Sequence, residues 1–275
     1  MGMRPLDLAD WLEVDERHPR DTAEKRSLVI DRRAEVVGVA DLDGAAEGSA
    51  ELWDLVRSEL ARRDVATHPS VAAEDPIVAA GTSTQEDWAV MVPGDGEWLL
   101  GAACICFPTR WVLAEKLGRS MGAIHAPIAR YDEHLAAPVD RFMDRITVES
   151  PVWRLNWNLV DSAELFQPRT ATDGAPNDDV TAENAGRTVC FRVERQTLRK
   201  LPASGAVAFG IRIHQHPLDQ LDVDQLAVLA RALEVIPPDV AAYKSDAIVG
   251  PQVRAWIAGR QNSRSTAEGM PRSSS

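Results

Sequence analysis

The sequence predicts an α+β fold: a five-stranded antiparallel sheet with helices inserted after its second strand, and helical extensions at both ends. Three observations predict it. Residues 153–160, 189–198 and 206–216 each alternate apolar and polar side chains, the period of a strand with two different faces. Residues 87–107 hold two further apolar stretches around Pro93-Gly94-Asp95-Gly96, a string with turn chemistry. Apolar residues at helical spacing lie before, between and after these strands.

Taken in order, residues 49–63 form an amphipathic helix with Leu52, Leu55, Val56 and Leu60 on one side, and the chain around it reads as helical or irregular up to Thr84. Pro69 and the acidic, small-residue stretch beyond it interrupt that pattern. Residues 87–92 and 98–107 form a hairpin. After Pro108 the period changes to helical over 111–121 and 138–146, the second stretch carrying Val139, Phe142, Met143 and Ile146 on one stripe. Pro138 suits a first helical turn, where its missing N–H has no partner to lose. The three alternating strands follow, the first two separated by a loop over 167–186 rich in Asp, Asn, Gly and Pro, the last two joined through Pro202 and Gly205. Asp222 with Gln225 makes a capping-box start to a last helix using Leu226, Leu229 and Leu233. From Gly259 the tail is polar and serine-rich, and is expected to be disordered. The expected division is a helical extension over 1–83, a sheet core over 84–218, a helical segment over 219–258 and a tail over 259–275.

Composition narrows the class. Of 275 residues, 45% are hydrophobic and 26% charged, as in a globular protein with one sizeable core. A net charge of −12 disfavours nucleic acid, whose phosphates it repels. No apolar run is long enough to cross a bilayer, and the first fourteen residues lack an apolar signal core, so a cytoplasmic location is expected. Cys104, Cys106 and Cys190 are too few to hold an iron–sulfur cluster by four thiolates and read as buried small side chains. No Gly-rich phosphate loop occurs.

On the polar side of the second-half strands stand Arg154, Asn156 and Asn158, then Arg192, Glu194 and Gln196, then Arg212, His214 and His216. Such a face is either a solvated exterior or the wall of a polar pocket. On a covered face Glu194 must find a cation or hydrogen-bond donors; Arg154 and Arg192 are candidates. Pairing among these three alone would be a structural network. Trp153 and Trp157 fall on the apolar face and read as core.

Two strands, helices, then three strands is the strand order of a PAS domain. Several motifs in that frame coincide with one family: Gln85-Glu86-Asp87-Trp88, Cys106-Phe107-Pro108-Thr109-Arg110-Trp111, Glu115-Lys116-Leu117-Gly118, Ile124-His125-Ala126-Pro127 leading to Tyr131, Arg154-Leu155-Asn156-Trp157, and Arg192-Val193-Glu194-Arg195-Gln196-Thr197-Leu198 followed by Leu201-Pro202 and Gly205. On these the chain resembles the alpha subunit of haem-dependent oxidative N-demethylase, from Asp10-Trp11-Leu12 to about Tyr243-Lys244. It departs from the family pattern at Ala129, where a second proline tends to stand, and at His214-Gln215-His216, where an aromatic residue is usual.

The resemblance implies a PAS-like sheet gripping haem b and the oxygen-dependent demethylation of a small, dimethylamine-like secondary amine to a primary amine and formaldehyde. It also implies electrons from separate flavin and iron–sulfur reductase subunits. A haem-binding sensor or a small-ligand-binding protein on the same fold is the alternative. Under the resemblance His125 is the proximal iron ligand, its loop braced by Pro127; the other reading is a histidine pinning that loop through a carbonyl. His134 is its rival, with His18 and His68 as surface residues. Glu194, with Asn156 or Gln196, orients a cationic amine or the neighbours of a haem propionate. Tyr131 donates to iron-bound oxygen or a propionate, or simply packs. Lys116 and Arg195 are candidate propionate partners, and Arg154 and Gln196 join His125 and Lys116 as candidate cofactor-binding residues.

Overall fold

A computed structural model describes residues 2–67, 75–125, 136–169, 175–236 and 246–268. Ala126, Pro127, Ala129, Tyr131 and His134 lie outside the described residues, as do His68, Pro69, Tyr243 and Lys244.

Near the N-terminus α1 (His18–Asp31) carries Pro19 in its first turn and leads to the single turn α2 (Arg33–Val36). Next comes α3 (Ala45–Arg62), entered from Gly44, whose φ of 81° gives a left-handed step that favours glycine. Its stripe of Leu52, Val56 and Leu60 is fully buried, as the helical spacing predicts. Sequence periodicity misses α4 (Pro76–Ser83) because Ile77 to Ser83 are buried all round, so no polar face marks the period.

The hairpin of β3 (Glu86–Pro93) and β4 (Trp98–Cys104) is present, turning through Gly96 at φ 81°. Residues 111–121 are not the expected helix. They hold one 3-10 turn (Leu113–Glu115), after which Gly118 at φ 74° stops the coil. Gly118 N–H donates to the Leu100 carbonyl at 2.9 Å and Leu100 N–H to that of Arg119 at 3.0 Å. The segment thus satisfies its backbone along the free edge of β4 instead of within a helix. A short α5 (Met121–His125) and then α6 (Ala136–Arg145) follow, the latter burying Met143.

The three alternating stretches are β5 (Val152–Val160), β6 (Cys190–Lys200) and β7 (Val207–Pro217). A hairpin joins β6 to β7, closed by Leu201 N–H on the Ala206 carbonyl at 2.8 Å, with Gly205 at φ 71°. Among the described residues the sheet has seven strands, not five. Its inner order is β4-β3-β7-β6-β5, and the additions are two short edges, β1 (Arg4–Pro5) beside β5 and β2 (Val37–Val39) beside β4. Two and three residues are too few to display a period, and they form because each edge has unpaired backbone to offer. The single turn α7 (Ala185–Thr188) precedes β6, and α8 (Val223–Val235) has the capping box predicted at Asp222 and Gln225. The last helix, α9 (Asp246–Glu268), runs past Gly259.

Two compact units divide the chain. The first takes residues 1–156, 165–169 and 194–213; the second takes 157–164, 170–193 and 214–275. Within the first, one apolar cluster gathers α3, α4 and one face of the β3–β4 hairpin, and another gathers the opposite face with Leu113, Met143 and Ile146. The second unit packs Leu226, Leu229, Leu233, Val249, Val253 and Trp256 around Leu159 and Val189.

The Gln85-Glu86-Asp87-Trp88 motif is buried throughout. Lys25 Nζ lies 2.9 Å from Asp87 Oδ1, and both side chains are at most 1% exposed. Asp87 also accepts the N–H of Cys106 at 3.0 Å and of Phe107 at 2.7 Å. Gln85 Nε2 donates to Asp21 and Asp15, and Arg212 pairs with Asp15 at 2.7 Å. Removing one partner of a buried pair leaves an uncompensated charge, so Lys25→Met should lower the unfolding free energy by about 3–5 kcal/mol, measured by urea denaturation.

Burial pushes the Glu86 carboxyl up, against a hydrogen bond from the Glu13 N–H and the charges of Arg212 and Lys25. The folded state therefore holds this proton at pH values where the unfolded chain has released it. Above the ordinary value of 4.5 stability should fall with rising pH until the raised folded value is passed. Urea midpoints measured across pH should show that slope, and Glu86→Gln should flatten it.

Candidate functional site

Polar residues on β5 and β6 meet across the two strands in the first unit, and the face they occupy is not a solvated exterior. Gln196 is buried, while Arg154, Asn156 and Glu194 are half-buried. Arg154 Nε donates to Gln196 Oε1 at 2.7 Å, and Gln196 Nε2 donates to Glu194 Oε2 at 2.7 Å. Asn156 Nδ2 reaches the same Glu194 oxygen at 3.3 Å. The carboxylate is thus held by two amides, whereas the sequence suggested Arg154 or Arg192 as its partners. Arg192 is fully buried, and its Nη1 donates to Gln215 Oε1 at 2.8 Å within the second unit.

Lys116 joins this group from the loop along β4. Burial pulls its ammonium below the ordinary lysine range, and the negative charges of Glu115 and Glu194 partly offset that. Lys116 Nζ sits 4.7 Å from the centre of the Trp111 ring and donates to the Ile124 carbonyl at 3.4 Å. Ile124 directly precedes His125, the last residue of α5. A cation is therefore tied to the C-terminal turn of that helix, where the unmatched carbonyls favour positive charge. Apolar residues surround this connection: Trp111, Leu117, Met121, Ile124 and Phe209 pack on the buried cluster that includes Leu113 and Met143.

Five of the sequence-predicted residues, Lys116, Arg154, Asn156, Glu194 and Gln196, therefore share one polar neighbourhood. Of His125 the structure describes the backbone, and Tyr131 lies outside the described residues. Other candidates are elsewhere. Arg195 pairs with Glu13 at 3.1 Å and donates to the Asp10 carbonyl, so it ties down the N-terminal segment. Arg212 serves the Asp15 pair. His214 is half-buried and His216 exposed, and among the described residues no three His, Cys, Asp or Glu side chains form a metal-binding group. His18, expected at the surface, meets the Ser83 carbonyl at 3.0 Å. Trp153 packs against the first core cluster and under the guanidinium groups of Arg4 and Arg195, while Trp157 sits 5.7 Å from Phe191. All three cysteines are free and buried. The Cys106 thiol is pushed well above its usual value by its hydrogen bond with Cys104 and by burial.

Sequence reasoning missed how the loop is set. Arg110 adopts φ 56°, an uncommon left-handed conformation for a non-glycine residue, and its N–H donates to the Gln167 carbonyl at 2.7 Å. Gly118 supplies the turn that returns the chain to β4. That glycine, directly after Glu115-Lys116-Leu117, is the one signal that could have revealed it.

The fold is α+β, and its sheet carries a half-buried polar set, Arg154, Asn156, Glu194 and Gln196, with the loop-borne Lys116 in electrostatic reach of Glu194. Residues 61–254 match the family described as haem-dependent oxidative N-demethylase, alpha subunit-like. The match covers more than half of the chain, which belongs to that family. It starts beyond the N-terminal stretch that also carried resemblance in the sequence. Among the described residues no helix is long and apolar enough to cross a membrane.

The Gly118 turn generates a direct test of how Lys116 is placed. A Cβ in the left-handed region is strained, so Gly118→Ala should destabilise the protein by about 1–2 kcal/mol. Gly118→Asn, which tolerates this region, should recover part of the loss; thermal melts read both.

Proposed function

We propose that this chain is the haem-binding subunit of an oxidative N-demethylase, converting a small, dimethylamine-like secondary amine to a primary amine and formaldehyde. The observation that carries the reading is the Lys116–Ile124 hydrogen bond, which ties the helix ending in His125 to the neighbourhood of Glu194. Family membership and the α+β fold with its antiparallel sheet support it.

The residues present fit haem b in their chemistry. Haem is an apolar plate with two carboxylates, and this neighbourhood offers Trp111, Met121 and Ile124 with the cations of Lys116 and Arg154. His125 would ligate the iron, Lys116 would counter a propionate, and Arg154 and Gln196 would line the cofactor's polar side. When bound, haem supplies the activation of O2 that the side chains cannot perform. Glu194, oriented by Asn156 and Gln196, would attract the substrate ammonium to a water-poor wall and receive its proton. Tyr131 would donate a hydrogen bond on the oxygen-binding side of the cofactor or to a propionate. The words "alpha subunit" suggest a multi-subunit enzyme, in which flavin and iron–sulfur partner subunits would supply electrons. We assign cofactor binding to residues 84–218, the flanking 1–83 and 219–258 to supporting helical extensions and 259–275 to a tail, in a protein of the cytoplasm.

The test is spectroscopic and chemical. Reconstituted protein should show a Soret band that moves on reduction and with carbon monoxide, and His125→Ala should lose or shift it. With dimethylamine, O2 and a reductase it should release formaldehyde. An unchanged spectrum in the variant would overturn the ligand assignment. Haem binding without formaldehyde would leave a sensor, and no haem binding at all would end the proposal.

A further inference from the structure

Each hydrogen bond on the Arg154–Glu194 pair falls on one side of the group concerned. Glu194 receives Asn156 and Gln196 on Oε2, and Arg154 uses Nε on Gln196. Among the described residues, Glu194 Oε1 and both terminal nitrogens of Arg154 make no hydrogen bond or ion pair. The two charges do not neutralise each other, because the Gln196 amide stands between them, its oxygen taken by the guanidinium and its nitrogen by the carboxylate. Both side chains are half-buried, so each open group is partly removed from water and gains from an opposite charge.

A simple dialkylammonium ion would satisfy Glu194 alone and leave the guanidinium fork open. We infer that the substrate is an N-methyl amino acid, its ammonium on Glu194 and its carboxylate on the terminal nitrogens of Arg154, with Gln196 setting the spacing. This rests on the demethylase reading above and puts an N-methyl amino acid in place of its dimethylamine-like substrate. It assigns to Arg154 a substrate carboxylate where a haem propionate is the other source of the same chemistry; Lys116 is the cation left for a propionate. The balance is R–NH–CH3 + O2 + two electrons + two protons giving R–NH2 + CH2O + H2O. One C–H bond is oxidised, the C–N bond then breaks, and the partner reductase provides the electrons.

The test is calorimetric titration of the full chain, with and without added haem, using N-methylglycine, dimethylammonium and acetate. A charge-assisted, two-pronged contact is specific and strong, so N-methylglycine should bind about tenfold tighter than either of the others, or better. Arg154→Gln should bring the ratio of N-methylglycine to dimethylammonium affinity close to one, and Arg154→Lys should keep part of it, with melting curves reporting whether each variant folds. Comparison of the ligands on the unaltered chain decides the matter even if a variant fails to fold. Equal affinities, preference for dimethylammonium, or no binding of N-methylglycine in the millimolar range would overturn the inference. So would an Arg154→Gln protein that loses haem but keeps the preference, since that places a propionate on Arg154. A colourless protein that still prefers N-methylglycine would sink the haem reading and leave this site standing.

Discussion

The buried contact of Lys25 with Asp87 is the constraint on which the placement of every other part of the first unit turns. Asp87 is the second residue of β3, and its carboxylate also holds the N–H groups of Cys106 and Phe107, just beyond the end of β4. One side chain thus fixes the first helix, the start of the hairpin and the exit from it. Two charges removed from water need excellent geometry and full hydrogen bonding to break even, and here the carboxylate has a cation and two backbone donors. Lys25 adds the Phe107 ring, 5.1 Å away, as a further contact for its ammonium. What leaves that exit is the segment through Arg110, Trp111 and Lys116. A tilt at Phe107 would therefore be carried directly to the lysine that meets Ile124.

That route explains why the segment after β4 is not a helix despite its helical spacing. The free edge of β4 beyond β2 offers backbone groups at Leu99 and Leu100, and Ser120, Gly118 and Arg119 use them. Satisfying those groups outweighs a short helix, whose nucleation is unfavourable in any case. The apolar residues at helical spacing are then used differently. Leu113 enters the core, and Trp111 is left to face the ammonium of Lys116.

Much of this was legible in the sequence and some was not, for definite reasons. Three of the long strands followed from period-two alternation and the other two from apolar stretches around turn residues, because those signals are local. The polar set Arg154, Asn156, Glu194 and Gln196 was legible as one face, since cross-strand neighbours on one side must meet once the strands pair. Which partner each would take was not, because that depends on register and side-chain reach; hence Glu194 sits on amides where arginines were expected. β1 and β2 are too short to have a period, and α4 is buried on every side, so neither leaves a trace in hydropathy. The buried work of Gln85, Glu86 and Asp87 was hidden for a third reason: their partners Asp15, Asp21, Lys25 and Arg212 are contributed by distant parts of the chain.

The two carboxylates Asp87 and Glu194 show how one structure separates a structural charge from a usable one. Asp87 has a buried lysine at 2.9 Å and two backbone donors, so its charge is spent locally and nothing further can approach it. Glu194 is oriented as firmly, by Gln196 and Asn156, but both partners are neutral amides and both act on one oxygen. Orientation without a hydrogen-bonded cation leaves Oε1 open on a half-buried face, with the charge of Lys116 in electrostatic reach. A fully buried carboxylate would require its cation from within the fold, as Asp87 does; a half-buried one can take it from a ligand. The same logic applies with opposite sign to Arg154, anchored through Nε and open at its fork. Amides, not ion pairs, hold Glu194 and Arg154, and that is the observation behind the binding site proposed for this part of the sheet.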